Sequence, residues 1–439
     1  MTAHDVPAAP EVSAVVPTVG RSPWLAACLQ ALRRQQGVGS LEIVVVDQSP
    51  EPLALPPGLA DRVLRPGRNL GFAGGTNLGL AAARGELLAT VNDDAVVAPG
   101  WLAALTAALR AVPAAAAVQG VNLIGGERAM EQGPTGDAAA STVPGLAADV
   151  DAPTKDAAIP TGGAAAPAEW PPGDPERIDG CGLGWNRWWQ AIQLGHGEPA
   201  PHGANRESAA GWGWTTTVVE VFGVSATAAL FRRTALEQVA VGGGEIFDPR
   251  LVSYYEDAEL AGRLRAAGFS ALLVPAARAR HAGAASGRTA PASRDRWRLV
   301  YGNRYLAAAR LLGRGLWPRL PLMVLRDILD VAGPAVLRVP RRARTAASPA
   351  WAATSASTAL PRSSSSAACA RHGTGATWPS ITRTDATLPA AAADRSRVAG
   401  ILAGWGRALR HLPAFARGGA PAPPLAEVAR LSRWPAQPR

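Results

Sequence analysis

The sequence contains almost no lysine, few cysteines and no long hydrophobic run. Lys155 is the only lysine, so arginine supplies nearly all of the 44 positively charged side chains. The three cysteines, Cys28, Cys181 and Cys369, are odd in number and widely spaced, which excludes a disulfide framework and a cysteine-based metal cluster. No stretch of about 18 residues is both uncharged and strongly apolar, and the N-terminus lacks a signal-peptide pattern. These absences predict a cytoplasmic protein without a spanning helix.

The composition is that of a globular protein with an excess of positive charge. Of the 439 residues, 48% are hydrophobic and 18% are charged, and the formal net charge is +10. Part of this charge reflects a GC-rich coding sequence, because arginine is abundant together with alanine, glycine and proline. The positive balance favours an anionic small molecule or the inner leaflet of the plasma membrane as a partner. Nucleic acid is not expected, since the arginines are scattered and no recognised binding module is present.

Strand and helix signals alternate through the first part of the chain. Short apolar or β-branched runs predict strands over residues 12–16, 41–46, 62–64, 87–91 and 116–124. Apolar residues at helical spacing predict helices over 22–36, 72–84 and 99–110. This alternation predicts an α/β fold with an open, mostly parallel sheet that is flanked by helices.

The pattern changes several times after residue 124. Further elements are predicted as a strand pair with a helix over 220–239, a helix over 256–267, a strand over 270–274 and a basic amphipathic helix over 294–312. The basic helix is typical of a membrane interface. The predicted domains are a disordered N-terminus (1–10), an α/β domain (11–310) with a flexible insertion (125–173), a basic helical extension (311–347), a low-complexity linker (348–395) and a C-terminal helical segment (396–439).

Polar side chains follow three of the predicted strands. Pro17 and Thr18 follow the first strand, Asp47 follows the second, and the tripeptide Asn-Asp-Asp at 92–94 follows the fourth. Ligands of open α/β sheets bind at the carboxyl ends of the strands. Two adjacent carboxylates need a counter-charge, which Mg²⁺ or Mn²⁺ bridging to a diphosphate would supply. A solvated turn is the alternative interpretation.

A glycine-rich segment, NLGFAGGTNLG, occupies residues 69–79. Its glycines allow a ligand to approach the backbone, and the N-terminus of the following helix favours an anion. The spacing matches neither GxGxxG nor a P-loop, and the turn after the first strand (PTVGRSPW) has one glycine. An NAD-dependent enzyme is therefore not favoured.

Seven ordered segments together resemble the family 2 glycosyltransferases, which are inverting enzymes of the GT-A fold. They are VSAVVPT (12–18), EIVVVD (42–47), NLGFAGGTNLGLAAARGE (69–86), NDDAVVAPGWL (92–102), SATAALFRR (225–233), FDPRLVSYYEDAELAGRLRAAGF (247–269) and VPAARARH (274–281). The similarity covers residues 11–310 apart from the insertion, and NLGFAGG is most similar to rhamnosyltransferase-type and galactofuranosyltransferase-type members. The resemblance implies a Rossmann-like nucleotide-sugar domain and a hexosyltransferase.

The resemblance also implies roles for individual residues. The nucleotide-sugar donor would contact Pro17, Thr18, Asp47, Asn69, Gly74, Gly75, Asn77 and Asp93. Mn²⁺ or Mg²⁺ would bind Asp94 and His281, although this sequence has NDD in place of a strict DxD. Inverting transfer needs one general base, which would be Asp257, with Glu256 as the alternative. Taken alone, this pair could simply complement the dipole of the helix that it opens.

Tryptophan is abundant, with 14 residues against 6 phenylalanines and 4 tyrosines. Five of these indoles precede the helix of the Glu256-Asp257 pair: Trp185, Trp188, Trp189, Trp212 and Trp214. They either stack on an acceptor sugar or pack in the interior. The expected acceptor is a glycan or a lipid-linked molecule of the cell envelope. A catalytically inactive sugar-nucleotide-binding scaffold is the alternative function, which the complete set of candidate carboxylates disfavours.

Overall fold

The computed structural model describes residues 9–125, 177–200, 217–283, 294–336, 390–416 and 423–433. The strands of this part are β1 (Val12–Thr18), β2 (Leu41–Asp47), β3 (Arg62–Leu64), β4 (Leu87–Val91), β5 (Ala95–Val97), β6 (Ala115–Ile124), β7 (Ile178–Gly180), β8 (Leu183–Trp185), β9 (Ala191–Gln193), β10 (Val219–Val221), β11 (Ala228–Arg232) and β12 (Ser270–His281). Its α-helices are α1 (Leu25–Arg33), α2 (Gly71–Ala82), α3 (Trp101–Ala111), α4 (Arg233–Gln238), α5 (Glu256–Ala266), α6 (Arg294–Leu312), α7 (Leu320–Val336), α8 (Ala390–Ala416) and α9 (Leu425–Leu431).

One mixed sheet of ten strands forms the centre of the described part. Its order is β10-β12-β6-β11-β4-β1-β2-β3, with β5 paired to β12 and β7 paired to β6. The pairs β1–β2, β1–β4, β2–β3 and β6–β12 are parallel. Strands β5, β7, β10 and β11 run antiparallel to their neighbours, which was not predicted. The predicted α/β class, with an open sheet flanked by helices and a helical C-terminal region, is confirmed.

Helices cover both faces of the sheet. Helices α1 and α3 pack on one face through residues such as Leu29 and Leu105, which are fully buried. Helices α2 and α5 pack on the other face through Leu80 and Leu260. Burial on two faces explains the nearly continuous apolar run of β2, in which all residues from Glu42 to Asp47 are buried.

Helix α6 begins and ends where the sequence predicts, and most of its residues lie in the interior. Of its 19 residues, 13 are buried. Helix α8 crosses α6 at two glycines: a Cβ built on Gly302 would lie 2.9 Å from the carbonyl oxygen of Gly404. Arg304 and Arg310 of this helix form ion pairs with buried carboxylates, whereas Arg294 is exposed, so a membrane contact of residues 294–312 stays a prediction.

Parts of the predicted domain division lie outside the described residues. These are the N-terminal residues 1–8, the insertion at 125–173 except for Gly125, and the linker at 348–395 up to the start of α8. The domain limits therefore stay predictions. Among the described residues, no helix has the length and the apolar character that crossing a lipid bilayer requires.

Candidate active site

A cavity of about 990 Å³ opens at the carboxyl ends of β1 and β4. The strand ends form one wall, the N-terminus of α5 forms a second, and helices α6, α7 and α8 form a third. Among its lining residues are eight that the sequence predicts for the site: Pro17, Thr18, Asn69, Asp93, Asp94, Glu256, Asp257 and His281. Segments far apart in the sequence thus meet around one space.

Asp93 is hydrogen-bonded to Thr18, the last residue of β1, and to Ser22 in the turn after it. Thr18 donates a hydrogen bond from Oγ1 to Oδ2 of Asp93 at 2.5 Å, and the hydroxyl of Ser22 donates to the carbonyl oxygen of Asp93 at 2.9 Å. Burial and the charge of the adjacent Asp94 together raise the pKa of Asp93 to about 6, although the hydrogen bond from Thr18 opposes both. The two carboxylates therefore repel each other, as the sequence predicts for a pair that needs a counter-charge.

His281 contacts two carboxylates through its two ring nitrogens. Strand β12 extends to His281, which pairs with Ala95 beside the acidic pair. Nε2 of His281 lies 3.2 Å from Oδ1 of Asp94, and Nδ1 lies 2.9 Å from Oδ2 of Asp179. Burial alone would lower the pKa of His281, but the charges of Asp179 and Asp94 raise it to about 10. The sequence analysis did not identify Asp179.

The donor set formed by Asp94 and His281 fits a divalent metal ion. Their 3.2 Å separation is close to the distance between adjacent ligands when each metal bond is about 2.1 Å long. A metal-binding histidine usually holds a carboxylate with its other nitrogen, as His281 holds Asp179. The described residues contain no cluster of three or more such side chains that could hold a metal. Two protein ligands leave positions for phosphate oxygens and water, as is common for Mg²⁺.

A strained loop leads into the Glu256-Asp257 pair. Val252, Tyr254 and Tyr255 have φ angles of 64°, 69° and 71°, in the left-handed region that side chains other than glycine rarely adopt. Asn303 of α6 stabilises this loop, because its Nδ2 donates to three loop carbonyls at 2.7, 2.9 and 2.9 Å. Such strain is typical of functional sites and persists only where the surroundings hold it.

The two carboxylates that open α5 differ in their contacts. Asp257 accepts hydrogen bonds from the hydroxyl of Ser225, from the backbone of Ala226 and from the backbone N–H of Ala258. Oε2 of Glu256 is buried and has no hydrogen-bond partner in the described part of the chain. Burial raises the pKa of both groups, and for Glu256 the neighbouring charge of Asp257 adds to the rise. A carboxylate that is both oriented and more basic than usual can accept a proton from a hydroxyl near neutral pH.

Asp47 does not line the cavity. Its buried carboxylate forms an ion pair with Arg65 at 2.9 Å and accepts backbone hydrogen bonds from Ser49 and Leu53. The next residue, Gln48, lines the cavity instead, and its Oε1 accepts a hydrogen bond from the backbone N–H of Leu70. The polar group that β2 presents to the cavity is therefore one residue later than the resemblance implies.

Gly74, Gly75 and Asn77 also lie away from the cavity and have packing contacts. A Cβ on Gly74 would lie 2.8 Å from Cβ of Leu70, and one on Gly75 would lie 2.3 Å from the side chain of Gln48. The amide of Asn77 bonds to both the N–H and the carbonyl of Phe247, at 2.9 and 2.7 Å. Gly75 and Asn77 therefore pack α2 against Gln48 and Phe247.

The three described tryptophans of the acceptor prediction pack outside the cavity. Trp185 is buried against Trp189 and Tyr255, with ring centroids 6.5 and 6.2 Å apart. The guanidinium of Arg304 donates to the backbone carbonyls of Trp188 and Trp189. Packing therefore accounts for the indole of Trp185, whereas an acceptor role of Trp188 and Trp189 stays a prediction, and Trp212 and Trp214 lie outside the described residues.

The helical wall contributes lining residues that the sequence analysis missed. The aromatic ones are Trp297 and Tyr301, and Tyr254 and Tyr255 of the strained loop lie beside this wall. The charged ones on the helices are Arg296, Arg304, Arg326, Asp330 and Arg397. Most of them come from α6, α7 and α8, which approach the cavity only through tertiary packing. The mixture of arginine and aromatic residues at 294–304 is visible in the sequence, but it does not distinguish a cavity wall from a membrane surface.

Residues 13–136 match the family model described as Glycosyl transferase family 2. The match runs from β1 to just past β6, and it includes Thr18, Asp93 and Asp94 but not the Glu256-Asp257 pair or His281. The sequence of residues 13–136 is therefore similar to glycosyl transferase family 2 domains, and the predicted GT-A fold class agrees with the sheet. No curated protein matches the sequence.

Three solved structures are similar to parts of this chain. GalNAc-T7 with UDP, GalNAc and Mn2+ has 16% identity and a TM-score of 0.39, over 62% of this chain and 44% of that chain. The mannosyltransferase PcManGT from Pyrobaculum calidifontis, with GDP-Man and Mn2+, has 17% identity and a TM-score of 0.38, over 76% and 82%. TarS from S. aureus has 13% identity and a TM-score of 0.34, over 69% and 43%. Similarity this low decides neither the ligands nor the reaction of this chain, which spans less than half of GalNAc-T7 and of TarS.

Proposed function

We propose that this protein is an inverting glycosyltransferase that moves a hexosyl group from a nucleoside-diphosphate sugar to a hydroxyl of a glycan or lipid-linked acceptor. The observation that carries the proposal is the meeting of Asp93 and Asp94 with the Glu256-Asp257 pair around one cavity. The first pair suits the diphosphate of a donor, with a metal ion as counter-charge, and the second suits a general base.

In the proposed reaction, Asp257 takes the proton of the acceptor hydroxyl while the hydroxyl oxygen attacks the anomeric carbon. The bond from that carbon to the diphosphate breaks on the opposite face, and its electron pair leaves with the diphosphate. One substitution of this kind inverts the anomeric configuration and needs one carboxylate. The hydrogen bonds from Ser225, Ala226 and Ala258 favour Asp257 as the base, since they orient it. Glu256 remains the alternative base.

Asp94 and His281 would hold Mn²⁺ or Mg²⁺, which supplies positive charge to the departing diphosphate. Asp179 would keep the imidazole of His281 in position through the 2.9 Å contact to Nδ1. Thr18 would fix Asp93 beside the ribose through the 2.5 Å hydrogen bond.

The donor class rests on the sequence resemblance. The segment NLGFAGG favours dTDP-rhamnose or a UDP-hexose, including a galactofuranosyl donor. A lipid-linked acceptor of the cell envelope would place the protein at the inner face of the plasma membrane, as a cytoplasmic or peripheral enzyme.

The test is release of nucleoside diphosphate from a panel of UDP-, dTDP- and GDP-sugars, with Mn²⁺, with Mg²⁺ and with EDTA. We expect EDTA to stop turnover of one donor, because the diphosphate then lacks its counter-charge. Asp257→Asn should lower turnover by about 100-fold or more but keep donor affinity, since it removes only the base. Asp94→Asn should weaken metal and donor binding as well. Glu237→Gln, an exposed carboxylate of α4, is the control and should behave as the wild type.

Two results would contradict the proposal. A donor that binds by calorimetry but is never turned over, with any acceptor or water, would favour the inactive scaffold. If no donor of the panel binds with either metal, the assignment of the cavity to nucleotide sugars fails for this panel.

A further inference from the structure

A stripe of large, exposed apolar side chains lies on the residues that follow α6 and on α7 itself. We call it the apolar stripe, and it consists of Trp317, Leu322, Leu325, Ile328 and Leu329, which are 57, 43, 48, 47 and 50% exposed. Leu322, Leu325 and Leu329 are three and four residues apart, so they lie on one side of α7. Adjacent exposed residues of this number and size mark an interaction surface more often than a plain monomer surface.

Few charged side chains of the same segment are exposed. Asp327 is fully buried and pairs with Arg304, and Arg326 pairs with Asp330 at 2.7 Å, where both line the cavity. Between residues 313 and 329, Arg314 is the only exposed charged side chain. An ordinary surface helix turns its apolar side inward and its charges outward. In this segment the exposed side chains are mostly apolar and Asp327 is fully buried, so the outer surface suits an apolar environment.

We infer that the apolar stripe docks on the surface of an anionic lipid bilayer, with its side chains in the acyl boundary and its arginines among the headgroups. The exposed charge next to the stripe is positive, and half-buried Arg319 adds a second guanidinium, which matches anionic headgroups. Trp317 stands at one end, and an indole favours the membrane–water interface. Apolar residues with flanking arginines are the usual composition of a helix that lies in this interface.

A protein partner fits the stripe less well. Protein interfaces carry about one hydrogen bond per 100–200 Å² of buried area. The exposed side chains of the segment other than Arg314 are Trp317, Pro318, Pro321, Leu322, Leu325, Ile328 and Leu329, of which only the indole N–H can form a hydrogen bond. An acyl layer needs no hydrogen-bonding partner, so a lipid surface is the occupant that matches this chemistry.

The position of the stripe has a consequence for the acceptor. Helix α7 carries four of the five stripe residues and also contributes Arg326 and Asp330 to the cavity wall. A bilayer docked on the stripe would therefore lie one helix diameter, about 10 Å, from the cavity. This consequence rests on the proposed function and favours an acceptor with a lipid anchor, but docking itself needs neither donor nor turnover.

The experiment is co-sedimentation of the full chain with phosphatidylcholine vesicles that contain or lack phosphatidylglycerol. We expect binding to the anionic vesicles that high salt weakens. The double variant Leu322→Glu/Leu325→Glu should bind at least about tenfold more weakly, because it removes apolar insertion and adds repulsion. The matched control is Val63→Glu, since Val63 is 47% exposed on β3, an edge strand of the sheet, which contains none of the stripe residues.

A further variant covers the case in which the double variant does not fold. Arg314→Glu leaves the stripe intact and should weaken binding to anionic vesicles alone. Wild type that does not bind anionic vesicles overturns the inference, as does a folded double variant that binds like the wild type. Light scattering distinguishes another occupant: a wild-type dimer that the double variant makes monomeric, with no vesicle binding, would assign the stripe to a second copy of the chain. Because no donor is present, vesicle binding can succeed where the transfer reaction fails.

Discussion

At the scale of single residues, His281 contacts both Asp94, with which it could bind a metal ion, and Asp179, a carboxylate that no sequence motif indicates. The resemblance implies Asp94 from the tripeptide that follows a predicted strand, and His281 from the end of the segment VPAARARH. Asp179 lies on the short strand β7, more than 100 positions before His281, and only pairing of β7 with β6 brings it near. Contacts of this kind depend on tertiary structure, so local sequence patterns do not predict them.

We expect Asp179→Asn to weaken Mn²⁺ binding by about 10- to 100-fold, because the imidazole of His281 loses the charge that holds its Nδ1–H. The measurement is titration of the protein with Mn²⁺, followed by electron paramagnetic resonance of the free ion, which requires no donor and no turnover. Asp295→Asn is the matched control, since that carboxylate is 76% exposed. Equal affinity in the Asp179 variant and the wild type would show that Asp179 does not position the ligand.

Glu256 gives a prediction about stability that is independent of catalysis. Burial and the charge of Asp257 raise the pKa of Glu256, so the folded protein holds this proton more tightly than the unfolded chain. The stabilising contribution is therefore complete at acid pH and is lost as the pH rises through the raised pKa. Glu256→Gln removes the ionisation and should exceed the wild type in free energy of unfolding at about pH 9 by about 1–2 kcal/mol.

The difference between Glu256→Gln and the wild type should disappear at about pH 5, where the wild-type carboxyl is protonated as well. Urea unfolding at several pH values measures it. A gap that is constant with pH would mean that the charge of Glu256 is not the cause. The exposed substitution Glu237→Gln should give no pH-dependent gap.

At the scale of elements, the sequence predicts where most helices and strands begin, but not what surrounds them. The predicted strand over 270–274 stops before Pro275, whereas β12 continues to His281 because β5 and β6 pair with its second half. The bounds of α6 are predicted correctly, yet Arg304 is buried in the interior while Arg294 is exposed. Arginine beside aromatic residues looks the same in sequence on a membrane surface and in a buried network such as that of Arg304 and Asp327.

That buried network also shows why the helical region is part of the site. Asp327 of α7 accepts from Arg304 and Tyr305 of α6 and from Trp405 of α8. Arg304 in turn binds the carbonyls of Trp188 and Trp189. A buried ion pair is stabilising only when its remaining hydrogen bonds are met, which these partners achieve. Helices α6, α7 and α8 therefore form one unit with the segment that contains Trp188 and Trp189.

At the scale of the whole molecule, two ends of the cavity depend on different parts of the chain. The donor end carries Asp93 and Asp94, and the base end carries the Glu256-Asp257 pair. The first belongs to the parallel strands β1, β2 and β4, whose alternation with helices is readable from the sequence. The second depends on the strained loop, which Asn303 of α6 holds, and Asn303 accepts a hydrogen bond from Arg407 of α8. No local pattern predicts that Arg407, more than 150 residues after this loop, supports it.

This division predicts that a disturbance between α6 and α8 lowers turnover more than donor affinity. A Cβ on Gly404 would lie 2.9 Å from the carbonyl oxygen of Arg298 and 2.9 Å from the backbone nitrogen of Gly302. Gly404→Val should therefore separate the helices at a cost of about 1–3 kcal/mol in unfolding free energy. The shift of α6 would move Asn303 and the loop, so kcat should fall several-fold while the Kd for the donor changes little.

Helix α8 provides the matched control for this experiment, because a Cβ on Gly406 would meet no atom within 4 Å. Gly406→Val makes the same chemical change two residues along the same helix, so effects of helix propensity are common to both variants. Donor affinity by calorimetry and kcat by diphosphate release separate the two ends of the cavity. If Gly404→Val lowers donor affinity as much as kcat, or if both variants act alike, then α8 does not support the base loop through α6.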